Sequence, residues 1–308
     1  MHTILGAGGP VANALTNQLI NTNETVRLVS RRPVTFTANN VSWEKADLLN
    51  YHEVATAAKG STVIYLCAGL VYDKTIWQQQ WPVIMQNVIN VAKENQARLI
   101  FFDNVYMYGL VNGPMTENTP YNPNSAKGEV RARIATQLMD EAKAGNINAS
   151  IARAADFYGA ESKNSFVDMM VLDKYAKKQK AQWLGNAACL HNFTFVPDAG
   201  KAMALLGQHP ESDNQIWHLP TPPSVPGKEL IQIAAKVFGV EPGYMAINKF
   251  MLQLAGLFSK TIRGTVEMYY QYNHDYIFDS SKFEKAFDFK PTDYEEGIKM
   301  LVETTYQK

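Results

Sequence analysis

The sequence predicts an α/β fold in which a doubly wound parallel sheet is followed by a smaller C-terminal lobe. Apolar runs of strand length alternate with segments of helical period through the first half of the chain, an alternation typical of parallel sheets. Of the 308 residues, 46% are hydrophobic, so the chain is able to bury the core that such a sheet needs. The predicted strands cover residues 3–5, 26–30, 41–44, 62–67, 99–102 and 149–153.

Helical periodicity between and after these strands predicts the helices. In the third helix, Val83, Ile84, Val88 and Val91 recur at helical spacing and are expected to be buried. The pattern is less regular in the second half, where the cluster TPPSVPG opens a further segment. The helices are predicted at 10–20, 51–58, 81–94, 127–144, 166–178, 198–206, 228–238, 249–259, 263–273 and 294–305, with short strands within 182–195.

The first strand ends in a glycine-rich turn. Gly6, Gly8 and Gly9 let the backbone turn tightly and approach a bound group without side chains in the way. Pro10 suits the first position of a helix, so Pro10 and Val11 begin a helix whose positive dipole end faces the turn. The pyrophosphate of a dinucleotide is the anion expected there.

This order of strand, glycine turn and helix makes the predicted sheet one of Rossmann type. We expect a dinucleotide-binding domain over residues 1–157, with a return segment near 189–215, and a mainly substrate-binding lobe over 158–308. The substrate is expected in a cleft between the two, since ligands of open α/β sheets bind at the carboxyl ends of the strands.

Two arginines follow the second strand. Sites that prefer NAD usually place a carboxylate here for the ribose hydroxyls, whereas Arg31 and Arg32 offer guanidinium groups that suit a phosphate. The sequence therefore predicts NADP, with NAD less favoured; the alternative is a solvated turn that happens to carry the arginines. After the third strand, Asp47 and Leu48 are placed to reach the adenine, unless Asp47 is the N-cap of the next helix.

Composition limits the possible partners. Acidic and basic residues balance at 29 each, so no overall field attracts nucleic acid or an anionic membrane, and partners must be recognised locally. The most apolar helical stretch, 245–262, is too polar to span a bilayer, and the N-terminus enters the first strand without a signal-peptide pattern. We expect a cytoplasmic monomer or homodimer with a small-molecule substrate, and neither nucleic acid nor membrane as partner.

Several chemistries lack their sequence patterns. The two cysteines, Cys67 and Cys189, have no CxxC spacing, and the six histidines have no spacing typical of a metal site. No GxSxG nucleophile elbow and no GxxxxGK[ST] phosphate loop occur. A disulfide framework, a metal centre, a serine hydrolase and an ATPase are therefore not expected.

Taken together, the motifs resemble the extended short-chain dehydrogenase/reductase superfamily, and within it the atypical proteins of NAD-dependent epimerase/dehydratase type. The resemblance implies further cofactor contacts from Cys67, Ala68 and Gly69 after the fourth strand and from Phe157 after the sixth. The third glycine of the family's turn is replaced by Ala12, which still permits close packing of helix on strand. The matching segments are LGAGGPVA, SRR, ADL, YLCAG, FFDNVYMYG, MTENTP, RAADFYG, FTFVPDAGKA and FDSSKFEKAFDFKPTDYEEG.

The chain departs from that family at the catalytic positions. Members typically carry a Ser or Thr, a proton-donating Tyr, and a Lys four residues after the Tyr. Aligning the motifs puts Asn104, Lys127 and Arg131 at these three positions. A KxxxR pair resembles the isoflavone reductase-like branch of the superfamily, in which the lysine is implicated in hydride-transfer reductions.

The roles of these residues stay open at this point. Lys127 and Arg131 share a helix face, and Lys127 could be an acid/base shifted toward neutrality, a cofactor clamp, or part of a surface ion pair. Asn104 could orient a carbonyl or simply form a turn. Tyr106 or Tyr108 could supply the missing phenol, with packing as the alternative.

The remaining candidates would line a substrate pocket. They lie after the fourth strand and in the second lobe: Tyr72, Trp77, Tyr158, Ser165, His191 and Asn192. Arg153 and Asp156 follow the sixth strand, near where nicotinamide and substrate should meet. Two functions follow: an NADP-dependent oxidoreductase or epimerase-like enzyme acting on a small, possibly sugar-derived, carbonyl or hydroxyl compound, or an NADP(H)-binding sensor without turnover.

Overall fold

The computed structural model describes residues 1–160, 162 and 165–306, and for Lys260 and Thr261 the backbone alone. The chain forms two compact units, each built from three segments. Unit 1 comprises Met1–Met107, Lys127–Arg153 and Ala199–Trp217. Unit 2 comprises Tyr108–Ala126, Ala154–Asp198 and His218–Lys308.

A seven-stranded sheet forms the centre of unit 1, in the order β11-β6-β5-β4-β1-β2-β3. The six strands β1 to β6 pair in parallel, with the chain order reversing between β1 and β4. The predicted α/β class with a doubly wound, Rossmann-type parallel sheet is confirmed. The strands are β1 (His2–Leu5), β2 (Val26–Ser30), β3 (Val41–Lys45), β4 (Val63–Leu66), β5 (Arg98–Asp103), β6 (Ala149–Arg153), β7 (Asp156–Tyr158), β8 (Ala181–Leu184), β9 (Leu190–His191), β10 (Phe193–Phe195), β11 (Ile216–His218), β12 (Val225–Pro226) and β13 (Tyr244–Ile247).

Position in the sheet explains the composition of these strands. Every residue of β1 and β4 is buried, as expected for central parallel strands covered on both faces. The edge strand β3 instead carries Glu44 and Lys45, both exposed, and such charges discourage pairing with another chain. The sequence did not predict β7 and β11, because three-residue strands give little periodicity.

Helices connect the strands of the sheet. Crossovers between parallel strands are right-handed as a rule, which places the connecting helices on opposite faces on either side of such a reversal. The α-helices are α1 (Pro10–Asn21), α2 (Tyr51–Ala57), α3 (Lys74–Asn95), α4 (Ala126–Lys143), α5 (Asp173–Ala176), α6 (Val196–Gln208), α7 (Gly227–Phe238), α8 (Lys249–Gly256), α9 (Lys260–Val266), α10 (Ser281–Phe287) and α11 (Tyr294–Leu301). Turns of 3₁₀ helix cover Tyr106–Tyr108, Pro210–Ser212 and Tyr269–Tyr272, and π-helical turns cover Asp168–Leu172 and Val302–Tyr306.

Helix α3 corrects two predictions. It begins at Lys74 rather than at residue 81, because the Asp73 side chain caps it by accepting from the Thr75 and Ile76 N–H groups. Pro82 lies inside the helix and costs it one backbone hydrogen bond. Val83 is 43% exposed, so its predicted burial is wrong. Val83 comes one residue before the buried Ile84, so it lies on the neighbouring, solvent-facing side of the helix, whereas Ile84, Val88 and Val91 are buried.

Unit 2 holds three two-stranded sheets and its own core. Strand β10 pairs with β7 and β13 with β8, both in parallel, and β12 pairs antiparallel with β9. The predicted helix at 263–273 is instead α9 followed by a 3₁₀ turn, and α10 was not predicted. The core cluster contains Tyr158, Val171, Trp183, Phe193, Phe195, Leu230, Tyr294 and Ile298.

Asp168 is a buried carboxyl group of unit 2, and no ion pair joins it to a cationic side chain among the described residues. The Asp168 Oδ2 accepts from the Gly159 N–H at 3.1 Å, and the Asp168 N–H donates to Ser165 Oγ at 3.2 Å. Burial raises the pKa of the Asp168 carboxyl from 3.8 to about 7. The folded chain therefore keeps this proton over a range of pH in which the unfolded chain releases it.

This burial predicts a pH-dependent loss of stability. The contribution of the protonated Asp168 carboxyl to the free energy of unfolding is complete below pH 3.8 and is lost as the pH rises through about 7. Asp168→Asn keeps an acceptor for Gly159 without a charge, so it should stabilise the fold at about pH 8 by on the order of 2 kcal/mol and change little at about pH 4. Thermal unfolding at both pH values checks this, with the exposed Asp140→Asn as control; equal shifts at both pH values would contradict it.

Within the part of the chain described, no helix is both long enough and apolar enough to cross a membrane.

Candidate dinucleotide site and active site

The glycine turn packs closely against Ala68, a second residue that the sequence predicts at the cofactor. Gly6 has φ +87°, and a Cβ built on it would lie 2.4 Å from the Ala68 Cα atom, in the loop after β4. Gly8 has φ +92° and would place a Cβ 3.0 Å from Val34 Cγ2. Only glycine fits the first of these positions without displacing backbone, so the turn lets β1 and the loop after β4 approach closely.

Helix α1 opens at this turn. Its N-cap is Gly9, at φ −84° and ψ 161°, no side chain caps it, and Pro10 follows at the first helical position. The N–H groups of a first helical turn have no intrahelical acceptor, so Val11 and Ala12 present amides and the positive dipole end to the turn. This arrangement suits a pyrophosphate.

Arg31 and Arg32 lie in the bend after β2 and are exposed. Among the described residues, no hydrogen bond or ion pair engages either guanidinium group. The bend is fixed by Ser30, whose Oγ donates to the Arg32 carbonyl oxygen and accepts from Trp43 Nε1. Two cations are therefore held on a defined backbone with their donors available to an anion.

The Asp47 carboxylate shapes a local turn by accepting from the Leu49 N–H at 3.0 Å. The alternative that Asp47 caps the next helix is wrong, because the Asn50 side chain caps α2 by accepting from the His52 and Glu53 N–H groups. Leu48 is buried. Its carbonyl oxygen accepts from Asn87 Nδ2, and the role of both residues at the adenine stays a prediction.

The loop after β4 contains Cys67, Ala68 and Gly69. The Cys67 N–H donates to the Leu5 carbonyl oxygen at 2.8 Å, continuing the pairing of β1 with β4 up to the glycine turn. Burial raises the pKa of the Cys67 thiol to about 12, so the thiol stays protonated and is not a nucleophile near neutral pH. The loop thus offers a neutral, close-packed surface beside the turn.

Strand β5 ends at a buried carboxylate that was not predicted from the sequence. Asp103 pairs with Arg131 Nη1 at 3.2 Å and with Arg153 Nε at 3.5 Å, and all three residues are buried. Burial raises the pKa of Asp103, and the two guanidinium groups oppose that shift. The signal in the sequence was a single acidic residue ending the apolar run LIFF.

Arg131 also packs against aromatic rings. Its guanidinium carbon lies 4.1 Å from the ring centroid of Trp81 and 4.8 Å from that of Trp77. Together with the ion pair to Asp103, these contacts fix α4 against α3 and β5. The residue one turn before Arg131 lies on the same helix.

That residue is Lys127, which is 0% exposed. The alternative of a surface ion pair is therefore wrong. The Lys127 Nζ atom lies 4.2 Å from the ring centroid of Tyr72, whose hydroxyl donates to the Tyr106 hydroxyl at 3.2 Å. The Tyr106 ring stacks on Trp77 at 6.2 Å between centroids. A buried ammonium group and two phenols thus form one cluster, the Lys127–Tyr72–Tyr106 cluster.

Asn104 forms the turn that carries Tyr106. Its Oδ1 accepts from the Tyr106 N–H at 3.1 Å, and its own N–H donates to Asp103 Oδ1 at 2.9 Å. The side-chain oxygen therefore fixes the loop, as the turn alternative predicts. Tyr108 lies in unit 2, where its hydroxyl bonds His218 Nε2 at 2.7 Å.

Two of the candidates in unit 2, His191 and Asp156, belong to a second polar cluster. His191 Nε2 lies 3.1 Å from Asp156 Oδ2, which also accepts from the Tyr272 hydroxyl. The His191 and Tyr272 rings stack at 4.9 Å between centroids. Among the described residues, no group of three or more His, Cys, Asp or Glu side chains is placed to hold a metal ion.

The other predicted residues of unit 2 have local structural partners. Asn192 donates to the Pro222 carbonyl oxygen and accepts from the Phe278 N–H. Ser165 accepts from Asp168, and Phe157 pairs with Thr194 of β10. Tyr158 is buried in the core of unit 2 against Phe195 and Tyr294. Their places at a pocket or cofactor stay predictions.

Comparison with known proteins adds a family and a fold. The model of the NAD dependent epimerase/dehydratase family matches residues 2–219. No curated protein matches the chain. A double mutant of dTDP-glucose 4,6-dehydratase from Streptomyces venezuelae, solved with NAD, is similar over 99% of this chain and 97% of its own, at 14% identity and a TM-score of 0.79. UDP-glucose 4-epimerase from Thermus thermophilus, solved with NAD, is similar over 98% of both chains, at 15% identity and a TM-score of 0.78.

Proposed function

The chain belongs to the NAD dependent epimerase/dehydratase family, and from this premise we propose that it is an NADP(H)-dependent oxidoreductase or epimerase-like enzyme. Its substrate is a small carbonyl or hydroxyl compound, in keeping with the sugar nucleotides named for the solved structures above. The observation that carries the proposal is the Lys127–Tyr72–Tyr106 cluster, which offers an acid/base pair where the usual Tyr and Lys are missing.

The residues of unit 1 fit a dinucleotide with an added phosphate. Amides at the start of α1 would hold the pyrophosphate, and Arg31 and Arg32 the 2′-phosphate of NADP. Asp47 and Leu48 would contact the adenine. The loop at Cys67–Gly69, which follows β4, would lie beneath the pyrophosphate. When bound, the nicotinamide ring supplies or accepts a hydride.

The chain's own residues would move the proton. We place the proton donor at Tyr106, whose hydroxyl would donate to a substrate oxygen while the Tyr72 hydroxyl donates to Tyr106 Oη. Negative charge that develops on Tyr106 would be stabilised by the Tyr72 hydrogen bond and by the ammonium group of Lys127. Arg131 and Asp103 would position α4 so that Lys127 stays against Tyr72.

One observation favours a second function, an NADP(H)-binding sensor without turnover. The Asn104 side-chain oxygen and the Arg131 guanidinium group are both engaged inside unit 1, so neither is free for the substrate-orienting and cofactor-binding roles of their family counterparts. A chain with these two roles lost but the glycine turn retained would still bind the nucleotide.

Two measurements separate these functions. Fluorescence titration with NADPH and NADH reports binding, and nicotinamide absorbance at saturating NADPH reports turnover across a panel of aldehydes, ketones and keto-sugars. We expect NADPH to bind more tightly than NADH. We also expect at least one class of carbonyl compound in the panel to oxidise NADPH. Binding without turnover on a broad panel would overturn the enzyme in favour of the sensor.

A further inference from the structure

Exposed apolar side chains are concentrated in one stretch of unit 2. Among the described residues, thirteen large hydrophobic side chains are exposed, and seven of them lie between residues 244 and 258. Phe258 is the most exposed, at 91%. A concentration of this kind marks an interaction surface. The seven side chains are Tyr244, Met245, Phe250, Met251, Leu254, Leu257 and Phe258.

Helix α8 is apolar on two faces. Its inner face packs Leu252 against Leu184 and Tyr272 in a cluster of its own. Phe250 and Leu254 lie on one face of α8, and Leu257 and Phe258 lie in the turn that follows it; all four side chains are exposed. The core of unit 2 therefore uses only one of the two apolar faces.

The charged residues in the sequence around this face have one sign. No acidic residue occurs between Glu241 and Glu267, and Lys249 and Arg263 are both exposed. Arg263 Nε donates to the Gly256 carbonyl oxygen at 3.0 Å, which holds α9 against the end of α8. Phenylalanine and leucine flanked by basic residues, with no acidic residue, are typical of helices that lie at the surface of an anionic membrane.

A second copy of the chain suits this surface less well. In a two-fold symmetric contact the same patch faces itself, so Lys249 and Arg263 would meet basic residues without an acidic partner. An anionic lipid surface supplies the missing negative charge and also buries the phenylalanine and leucine side chains.

We propose that the outer face of α8 docks on bilayers that contain anionic lipid. The helix lies in the plane of the interface, with Phe250, Leu254 and Phe258 at the boundary between headgroups and acyl chains. The sequence predicted no membrane partner because acidic and basic residues balance and because residues 245–262 cannot span a bilayer, whereas peripheral docking requires only a local surface and no spanning segment. The proposal is independent of the enzymatic function.

Cosedimentation with vesicles tests the docking surface. The full chain is mixed with vesicles of phosphatidylcholine alone, or of phosphatidylcholine and phosphatidylglycerol in equal parts, at low and high salt. We expect binding to the mixed vesicles, weakened by salt, and at least about tenfold lower partitioning for Phe250→Glu/Leu254→Glu/Phe258→Glu. The matched control, Val83→Glu/Met169→Glu/Met300→Glu, changes three exposed apolar residues elsewhere and should bind like the native chain.

Folding and self-association are checked on the same samples. Because the three residues are exposed, the α8 variant should keep the native circular dichroism and melting temperature. Absence of native binding, equal binding to both vesicle types, or equal loss in both triple variants would overturn the proposal. So would a native dimer, seen by light scattering, that the α8 variant converts to monomer while vesicles bind neither form.

Discussion

Replacing Lys127 with Met is expected to lower kcat for carbonyl reduction about 10³-fold, within the range that general acid–base catalysis contributes. Lys127 is wholly buried with its ammonium group over the Tyr72 ring, and a methionine of similar length keeps the packing while removing the charge. The steady-state rate at saturating NADPH measures the effect. Lys143→Met, at the other end of α4, is the control and should leave kcat unchanged.

The two phenols of the cluster should respond unequally. Tyr106→Phe removes the proposed proton donor and should approach the loss seen for Lys127→Met, whereas Tyr72→Phe removes only a supporting hydrogen bond and should cost about tenfold. If Lys127→Met weakens NADPH binding but leaves kcat intact, the lysine is a cofactor clamp and its proposed role in stabilising charge on Tyr106 fails.

The double variant Arg31→Ala/Arg32→Ala is expected to raise the Kd for NADPH about 10²-fold. Each guanidinium group would donate charge-assisted hydrogen bonds to the phosphate. Their contribution to the binding free energy is reduced here because the site is exposed to solvent. NADH lacks the 2′-phosphate, so its Kd should change by less than about threefold. Fluorescence titration of both nucleotides measures the two changes.

The control for this pair is Arg133→Ala, which removes an exposed arginine from α4. It should change neither Kd. Equal weakening of NADPH and NADH in the double variant would show that the arginines act on a part common to both nucleotides. The assignment of the 2′-phosphate to this bend would then be wrong.

The sheet of unit 1 was predictable because its strands are short, apolar and bounded by turn residues. Strands β2 and β6 match their predicted bounds, and two residues of the glycine turn, Gly6 and Gly8, adopt a backbone conformation that favours glycine. The start of α3 was not predicted, because the actual cap, Asp73, lies upstream of the apolar positions 83–91 whose helical spacing indicated the helix.

The candidate site was predictable only in part. Lys127 was found by alignment to a motif. Its contact with Tyr72, and the hydrogen bond from Tyr72 to Tyr106, join α4 to two different loops. Spacing within the sequence does not reveal such contacts. Asp103 was missed for the same reason. Its importance comes from two arginines that follow it by tens of residues, and burial makes their pairing obligatory.

The stability effect of Asp168 was also beyond the sequence. The residue reads as an ordinary acidic position near the start of a helical segment, and its raised pKa arises from burial in unit 2. Burial of this kind depends on which segments fold over the carboxyl group, and periodicity within the segment carries no information about that.

Calorimetric titration of the intact chain with NADPH and with NADH tests the central claim most directly, namely that the turn at Gly6 and the bend at Arg31 and Arg32 together hold a phosphorylated dinucleotide. The account predicts saturable heat with one nucleotide per chain and a clearly lower Kd for NADPH. Absence of heat with either nucleotide, or tighter binding of NADH, would contradict it.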